Sequence, residues 1–187
     1  LKDDLVVSTP RAKIGGELLA ISLVLFSSSL QFTSLDGFFG IQSIPSLVSY
    51  ALIILMILFI INSYNMIDGI DGLASIIGIV IFGVYGSLFL IMGLNFYFLL
   101  CICLIGIQLA YLYYNLSSTK KIFMGDTGSL VMGFCIGFLS LKFLSIDTSI
   151  LTEISFMPEN KFYIIAGIFY IPLFDTLRVI GVRLINN

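Results

Sequence analysis

The sequence predicts an all-α, polytopic membrane bundle of about six transmembrane helices, on three observations. The 187 residues are 59% hydrophobic and only 11% charged, with mean hydropathy +1.12, whereas soluble domains carry about 25% charged residues. Uncharged runs cover residues 37–67 and 72–119. The acids and amides between those runs are gathered rather than scattered, and a carboxylate at a bilayer centre costs roughly 2.5–3.5 kcal/mol. Such residues belong at a membrane edge or in a wet cavity.

A hydrocarbon core of about 30 Å needs roughly 20 apolar helical residues. Residues 18–35 supply a first span, with Ser27, Ser28 and Ser29 in its far half. Residues 44–61 supply a second, with Pro45 in the first turn, where its missing N–H costs little. The run 72–119 contains 48 residues and as one helix would be about 72 Å long, more than twice the core. It must break, and Gly93-Leu94-Asn95 is the natural turn, giving spans at 73–92 and 96–114. Residues 128–146 form a fifth span interrupted by Lys142, whose long stem suits snorkelling to the interface. Residues 162–180 form a sixth, carrying Pro172 and an Asp175/Arg178 pair three residues apart on one helix face. All of it reads as one domain, 1–187, and as an internal piece of a longer protein. The first residue is Leu, and Lys2-Asp3-Asp4 is no secretory leader.

Parity then sorts the loops. The N-terminal segment, 62–72, 115–127 and the C-terminal tail share one side and hold Lys2, Arg11, Lys13, Lys120, Lys121 and Arg183. The opposite loops, near 36–43, 93–95 and 147–161, hold only Lys161. The positive-inside rule makes the first side cytoplasmic, with both ends there. The same parity places Asp3, Asp4, Asp68, Asp71 and Asp126 on that face, and Asp36, Asp147, Glu153 and Glu159 on the other. Tyr111, Tyr113 and Tyr114 form half an aromatic belt at the cytoplasmic edge. The sequon Asn115-Leu116-Ser117 faces the wrong side for glycosylation.

Several chemistries are excluded. A net charge of −2 with dispersed basic residues gives no nucleic-acid footprint. There is no histidine, so no imidazole base operates within this chain. Cys101, Cys103 and Cys135 lie in apolar stretches and read as buried free thiols.

Two stretches carry chemistry. Asn62, Asn65, Asp68 and Asp71 concentrate amides and carboxylates in ten residues. In Lys120–Ser129, Gly125 and Gly128 flank Asp126 just before a helix, a setting where backbone N–H groups, phosphate oxygens and a metal can meet. An N-cap and turn with two topology-setting lysines would account for the same letters. Asp3 and Asp4 precede an Arg11/Lys13 cluster suited to an anionic head group or a diphosphate, although adjacent terminal acids are commonly just solvated. Oxygen donors of this type suit a hard cation such as Mg²⁺ that also takes substrate phosphates.

These stretches resemble the polyprenyl-phosphate N-acetylhexosamine-1-phosphate transferases (glycosyltransferase family 4). The likeness runs through an Asp-Asp pair followed by a Lys-bearing loop (Asp3, Asp4, Lys13), Asn-x-x-Asn-x-x-Asp-Gly-x-Asp-Gly-Leu (Asn62, Asn65, Asp68, Asp71) and Phe-Met-Gly-Asp-x-Gly-Ser (residues 123–129). Met66-Ile67 and the 171–176 segment look more like the N-acetylglucosamine branch, in an undecaprenyl-phosphate N-acetylglucosamine-1-phosphate transferase-like pattern, than the phospho-N-acetylmuramoyl-pentapeptide branch. The resemblance implies transfer of a sugar 1-phosphate from a UDP-N-acetylhexosamine to a polyprenyl phosphate lipid. UMP is released, with Mg²⁺ or else Mn²⁺ as cofactor. This is a first membrane step of cell-envelope polysaccharide synthesis, at the cytoplasmic face of a bacterial plasma membrane. By similarity Asp126 is the principal metal ligand and Asn62 a second. Asp3, Asp4 and Asp68 are catalytic, and Lys13, Asn65, Asp71, Gly125 and Gly128 bind substrate. A homodimer is among the assemblies such enzymes admit. The family has further spans before the Asp-Asp pair and a His-containing segment after the position of Arg183, and this piece lacks both. A rival class, an ion-coupled transporter segment, would place acids at mid-span, where Asp175 alone qualifies.

Overall fold

The computed structural model describes residues 10–26 and 30–185, and among them every regular element is helical. The seven α-helices are α1 (Pro10–Leu25), α2 (Ser46–Ile67), α3 (Leu73–Ile91), α4 (Asn95–Asn115), α5 (Gly125–Leu144), α6 (Thr148–Glu153) and α7 (Asn160–Ile185). Four of them, α2 to α5, are long and apolar enough to cross a membrane. That agrees with four of the six expected spans.

The first expectation is displaced, while the last falls within a helix. The helix expected over 18–35 lies instead at Pro10–Leu25, and its 16 residues reach about 24 Å, short of the core. Residues 33–44 fold back as a hairpin, bridged between Ser34 and Ser43, because Asp36-Gly37 and Phe39-Gly40 adopt left-handed turns that no helix accommodates. The expected sixth span, 162–180, falls inside the helix α7 and carries Pro172, Asp175 and Arg178 as expected. Asp175 and Arg178 pair at 2.9 Å, so the single acid that suited an ion-transport reading is already neutralised by its neighbour. The Pro172 carbonyl accepts a hydrogen bond from the Thr176 hydroxyl at 2.8 Å. Lys142 lies 5.2 Å from the centre of the Tyr97 ring. Of the three thiols only Cys101 is buried, while Cys135 is partly covered and Cys103 is exposed on the outward side of α4. The expectation of three buried thiols is therefore corrected, because residues two apart on a helix face different ways.

In lipid, apolar contact does little to drive helices together, and close approach through small residues takes over. A Cβ at Gly133 of α5 would lie 2.8 Å from Ile61 Cα, so α2 and α5 touch backbone to backbone there. α3 packs along α4, and α2 also contacts α7. Phe82, Tyr85, Phe89, Ile136 and Phe143 fill the seam among α3, α4 and α5, whereas Leu55, Val80, Leu99 and Val131 point outward. That inversion of a soluble surface fits a protein whose solvent is hydrocarbon.

The alternation of helices gathers the start of α1, the end of α2, the α2–α3 turn, the end of α4 and the start of α5 at one end. At the other end the buried Lys161 amine meets Asp36 at 2.6 Å and the carbonyls of Leu144 and Ile146 at 2.9 and 3.3 Å. It thereby caps the C-terminus of α5, where a cation is favoured.

Candidate active site

Asp126 stands in the first turn of α5, where the helix dipole favours a negative charge. Gly125 before it has φ +66°, a left-handed turn that lets the chain swing from the 116–124 loop into the helix. Three side chains converge on it. The Lys13 amine, one turn into α1, forms an ion pair with one carboxylate oxygen. The Asn65 amide reaches the other oxygen at 3.4 Å and donates to the Ser129 hydroxyl at 2.6 Å. Ser129 in turn lies over the Gly125 and Asp126 carbonyls at 3.1 and 3.2 Å. Residues separated by 113 and 61 positions thus share one carboxylate.

Asn115 sets the two loops around this cluster. It is 3% exposed, and its carbonyl accepts the Gly72 N–H at 2.6 Å while its amide donates to the Ile122 carbonyl at 2.8 Å. Gly72 at φ +74° has Leu116 and Leu112 so close that a Cβ would sit 3.1 Å from the first. The same loops are joined again by an ion pair between Lys121 and Asp71. Below them the Tyr64 hydroxyl donates to the Ala74 carbonyl at 2.8 Å and accepts from Gln108 at 2.7 Å, tying α2, α3 and α4 together beneath the turn.

Asp68 closes α2 at its C-cap, half-buried, and burial pushes its carboxyl up to about 6. Asn62 lies nearly two turns back and turns to α1, donating to Glu17 at 3.1 Å and to the Leu58 carbonyl at 2.8 Å. Of the expected residues, Lys13, Asn65 and Asp126 are therefore brought into contact. Asp71 sits across the loop on Lys121, and Gly125 and Gly128 flank Asp126 on the turn and the first helical turn. Asp3 and Asp4 fall outside the described residues. Glu17 was missed by sequence reasoning. It is 7% exposed, and the signal was available: Lys13 and Glu17 are four apart, hence on one helix face, at the start of an apolar run.

No group of three or more His, Cys, Asp or Glu side chains converges among the described residues. The Asp126 donor set is instead one carboxylate with an amide and a hydroxyl. Half a turn of the Asn65 amide presents its oxygen in place of its nitrogen. Such an oxygen-only, ligand-poor set matches a hard cation that takes its remaining ligands from phosphate and water.

Beside Lys13 a groove of about 400 Å³ runs between α1, α2 and α5. Lys13 and Glu17 mark its polar end, and Ala20, Ile61, Leu130 and Phe134 make its walls. A charged mouth opening on an apolar trough suits an amphiphile with an anionic head.

A helical membrane protein with a Lys–Asp–Asn cluster at one end, set beside such a trough, is the class that fold and site define. The chain belongs to glycosyl transferase family 4, whose pattern matches residues 1–144 and so spans α1 to α5 with all the clustered side chains. Membership makes it a membrane-embedded transferase of the polyprenyl-phosphate sugar-phosphate type. Neither the curated proteins nor the solved structures contain a match to the chain.

Proposed function

We propose that the protein transfers N-acetylglucosamine 1-phosphate, or a related hexosamine 1-phosphate, from its UDP derivative to polyprenyl phosphate. The reaction takes place at the cytoplasmic face of a bacterial plasma membrane. The observation that carries this reading is the Lys13–Asp126–Asn65 cluster at the mouth of the apolar trough. One substrate is a water-soluble diphosphate and the other a lipid phosphate, and a polar cluster beside an apolar trough gives each a place. The preference for N-acetylglucosamine rests on Met66-Ile67 and the 171–176 segment.

A phosphate monoester has a second pKa near 6, so the lipid head group is already largely a dianion at neutral pH and offers a base little to remove. An oxygen of that phosphate attacks the β-phosphorus of the UDP-sugar. The bond from the β-phosphorus to the bridging oxygen breaks, and UMP leaves with that oxygen. Lys13, held in place by Asp126, binds the incoming phosphate, and the Asn65 amide and Ser129 hydroxyl orient the diphosphate by hydrogen bonds, so that most of the rate comes from alignment and charge complementarity. Asp126 and Asn65 would hold Mg²⁺ or Mn²⁺, which when bound supplies neutralisation of the diphosphate charge. Asp68 and Asp71 line the nucleotide side, and Asp3 and Asp4 serve the lipid phosphate and diphosphate.

The test is UMP release from UDP-N-acetylglucosamine by membranes containing the intact protein, measured with and without added polyprenyl phosphate and divalent cation. Release that needs the lipid and the cation is the expected result. Release unaffected by the lipid would remove the transfer reading, and turnover of another UDP-hexosamine alone would reassign the donor.

A further inference from the structure

Far from the polar cluster, residues 33–44 form a hairpin whose tip is apolar, exposed and rigidly built. Backbone bonds from Leu35 to Gln42 at 3.0 Å and from Ile44 to Thr33 at 2.9 Å zip its arms. Phe38 stacks on Phe162 of α7 with ring centres 4.7 Å apart and meets the edge of Tyr163 at 5.3 Å. Phe39, next in the chain, is 86% exposed and held at φ +52°, a left-handed conformation that disfavours a side chain. Strain of this kind persists where surrounding structure over-determines it, and it marks candidate functional surfaces.

Charge narrows what the tip meets. Asp36 is the only charged residue in 30–45, and it is sealed by the buried Lys161 at 2.6 Å. Within the hairpin the tip therefore offers Phe39 and Ile41 without an exposed charge of its own, while the exposed Glu159 carboxylate, which a Cβ at Gly37 would approach to 3.9 Å, stands beside it from the start of α7. Its surroundings are continuous with the hydrocarbon-facing surface. Leu47, Val48 and Leu52 lead from the hairpin down the outside of α2, and Tyr163 and Tyr170 continue along α7, all exposed. α2 is long enough to span, so its first turn lies near the membrane boundary, and the stack on Phe162 holds the hairpin at the head of α7.

We propose that the 33–44 hairpin is an interfacial wedge. Phe39 and Ile41 enter the headgroup–acyl boundary of the leaflet opposite the Asp126 cluster, and the Asp36–Lys161 pair fixes the depth. The occupant is lipid. Aromatic and aliphatic tips held at that level bury about 5–10 Å into the boundary, and aromatic rings are favoured there. This stands apart from the transfer reaction, since it uses none of the residues at the other end.

The chain has no tryptophan, so an introduced indole is the only one present. The Phe39→Trp and Ile41→Trp variants of the full chain are reconstituted in phosphatidylcholine vesicles, with and without lipids brominated just below the headgroup, and each is also titrated with acrylamide. The expected result is blue-shifted emission, quenched on the order of twofold by the shallow bromines and shielded from acrylamide. Ser118→Trp at the opposite, polar end is the solvent-exposed reference. Ile41 has an ordinary extended backbone at φ −90°, so if Phe39→Trp fails to fold the Ile41 variant decides alone. Water-like emission, open to acrylamide and indifferent to bromine, overturns the proposal.

Discussion

One carboxylate, Asp126, is met by Lys13, Asn65 and the first turn of α5. Asp126→Asn keeps the shape and removes the charge that pairs with Lys13 and that the proposed cation would need. Turnover should fall to background while insertion and folding stay normal, measured as UMP release beside a membrane-extraction control. Near-native turnover would remove Asp126 from the centre of the site. Asp68 makes a separate prediction, because its carboxyl sits at about 6 through burial. A raised acid pKa means that the folded chain binds its proton more tightly than the unfolded chain does. Stability therefore falls as pH rises from the ordinary carboxylate range through about 6, then levels off. The lipid phosphate also titrates near pH 6, so thermal unfolding of substrate-free protein in detergent is the clean readout. Asp68→Asn should flatten that dependence.

Among the elements, the α2–α5 contact decides whether Asn65 can reach Asp126 and Ser129 at all. The helices meet at Gly133, where a Cβ would fall 2.8 Å from Ile61 Cα and 3.2 Å from its carbonyl oxygen. Backbone cannot swing aside as a side-chain tip does. Gly133→Ala should therefore push the helices apart and cost about 1–3 kcal/mol, as overpacking does. Gly106 of α4 has open space around its Cβ position, and Gly106→Ala should be neutral or stabilising by about 0.5–1 kcal/mol. Unfolding midpoints of the two variants in one detergent check the contrast. Equal effects would mean that helix propensity rather than approach distance governs both sites.

For the whole molecule, two routes to product differ in what they require. Direct attack by the lipid phosphate needs both substrates in place together, one in the trough and one on the cluster. A phospho-aspartyl route needs only the donor. Exchange of labelled UMP into UDP-sugar, without lipid acceptor, should be absent from the intact protein. Robust exchange would favour the covalent route. The tertiary arrangement has Asp68, Asp71 and Asp126 at one end of the bundle, which a shared pocket demands, with Asn115 binding their loops through Gly72 and Ile122.

How much of this was legible in the letters follows from the physics of each level. Mean hydropathy and uncharged run length bound the chain to a helical membrane bundle, because lipid offers backbone groups no partner outside a helix. The Gly93 break and the lengths of α2 to α5 followed from core thickness. The grouping of acids on one face followed from counting crossings. The hairpin at 33–44 escaped, because its left-handed turns at Asp36 and Phe39 sit beside an Asp36–Lys161 ion pair and a Phe38–Phe162 stack, whose partners are more than 120 residues away. Glu17 escaped likewise, since its partner Asn62 lies 45 positions off. The sequence by itself determined the solvent this protein lives in, the course of α2 to α5 and which residues carry charge at which end. Only the tertiary structure decided which of those charges meet, because an ion pair across 113 residues depends on how closely two helices approach, and a glycine–backbone contact at Gly133 sets that distance.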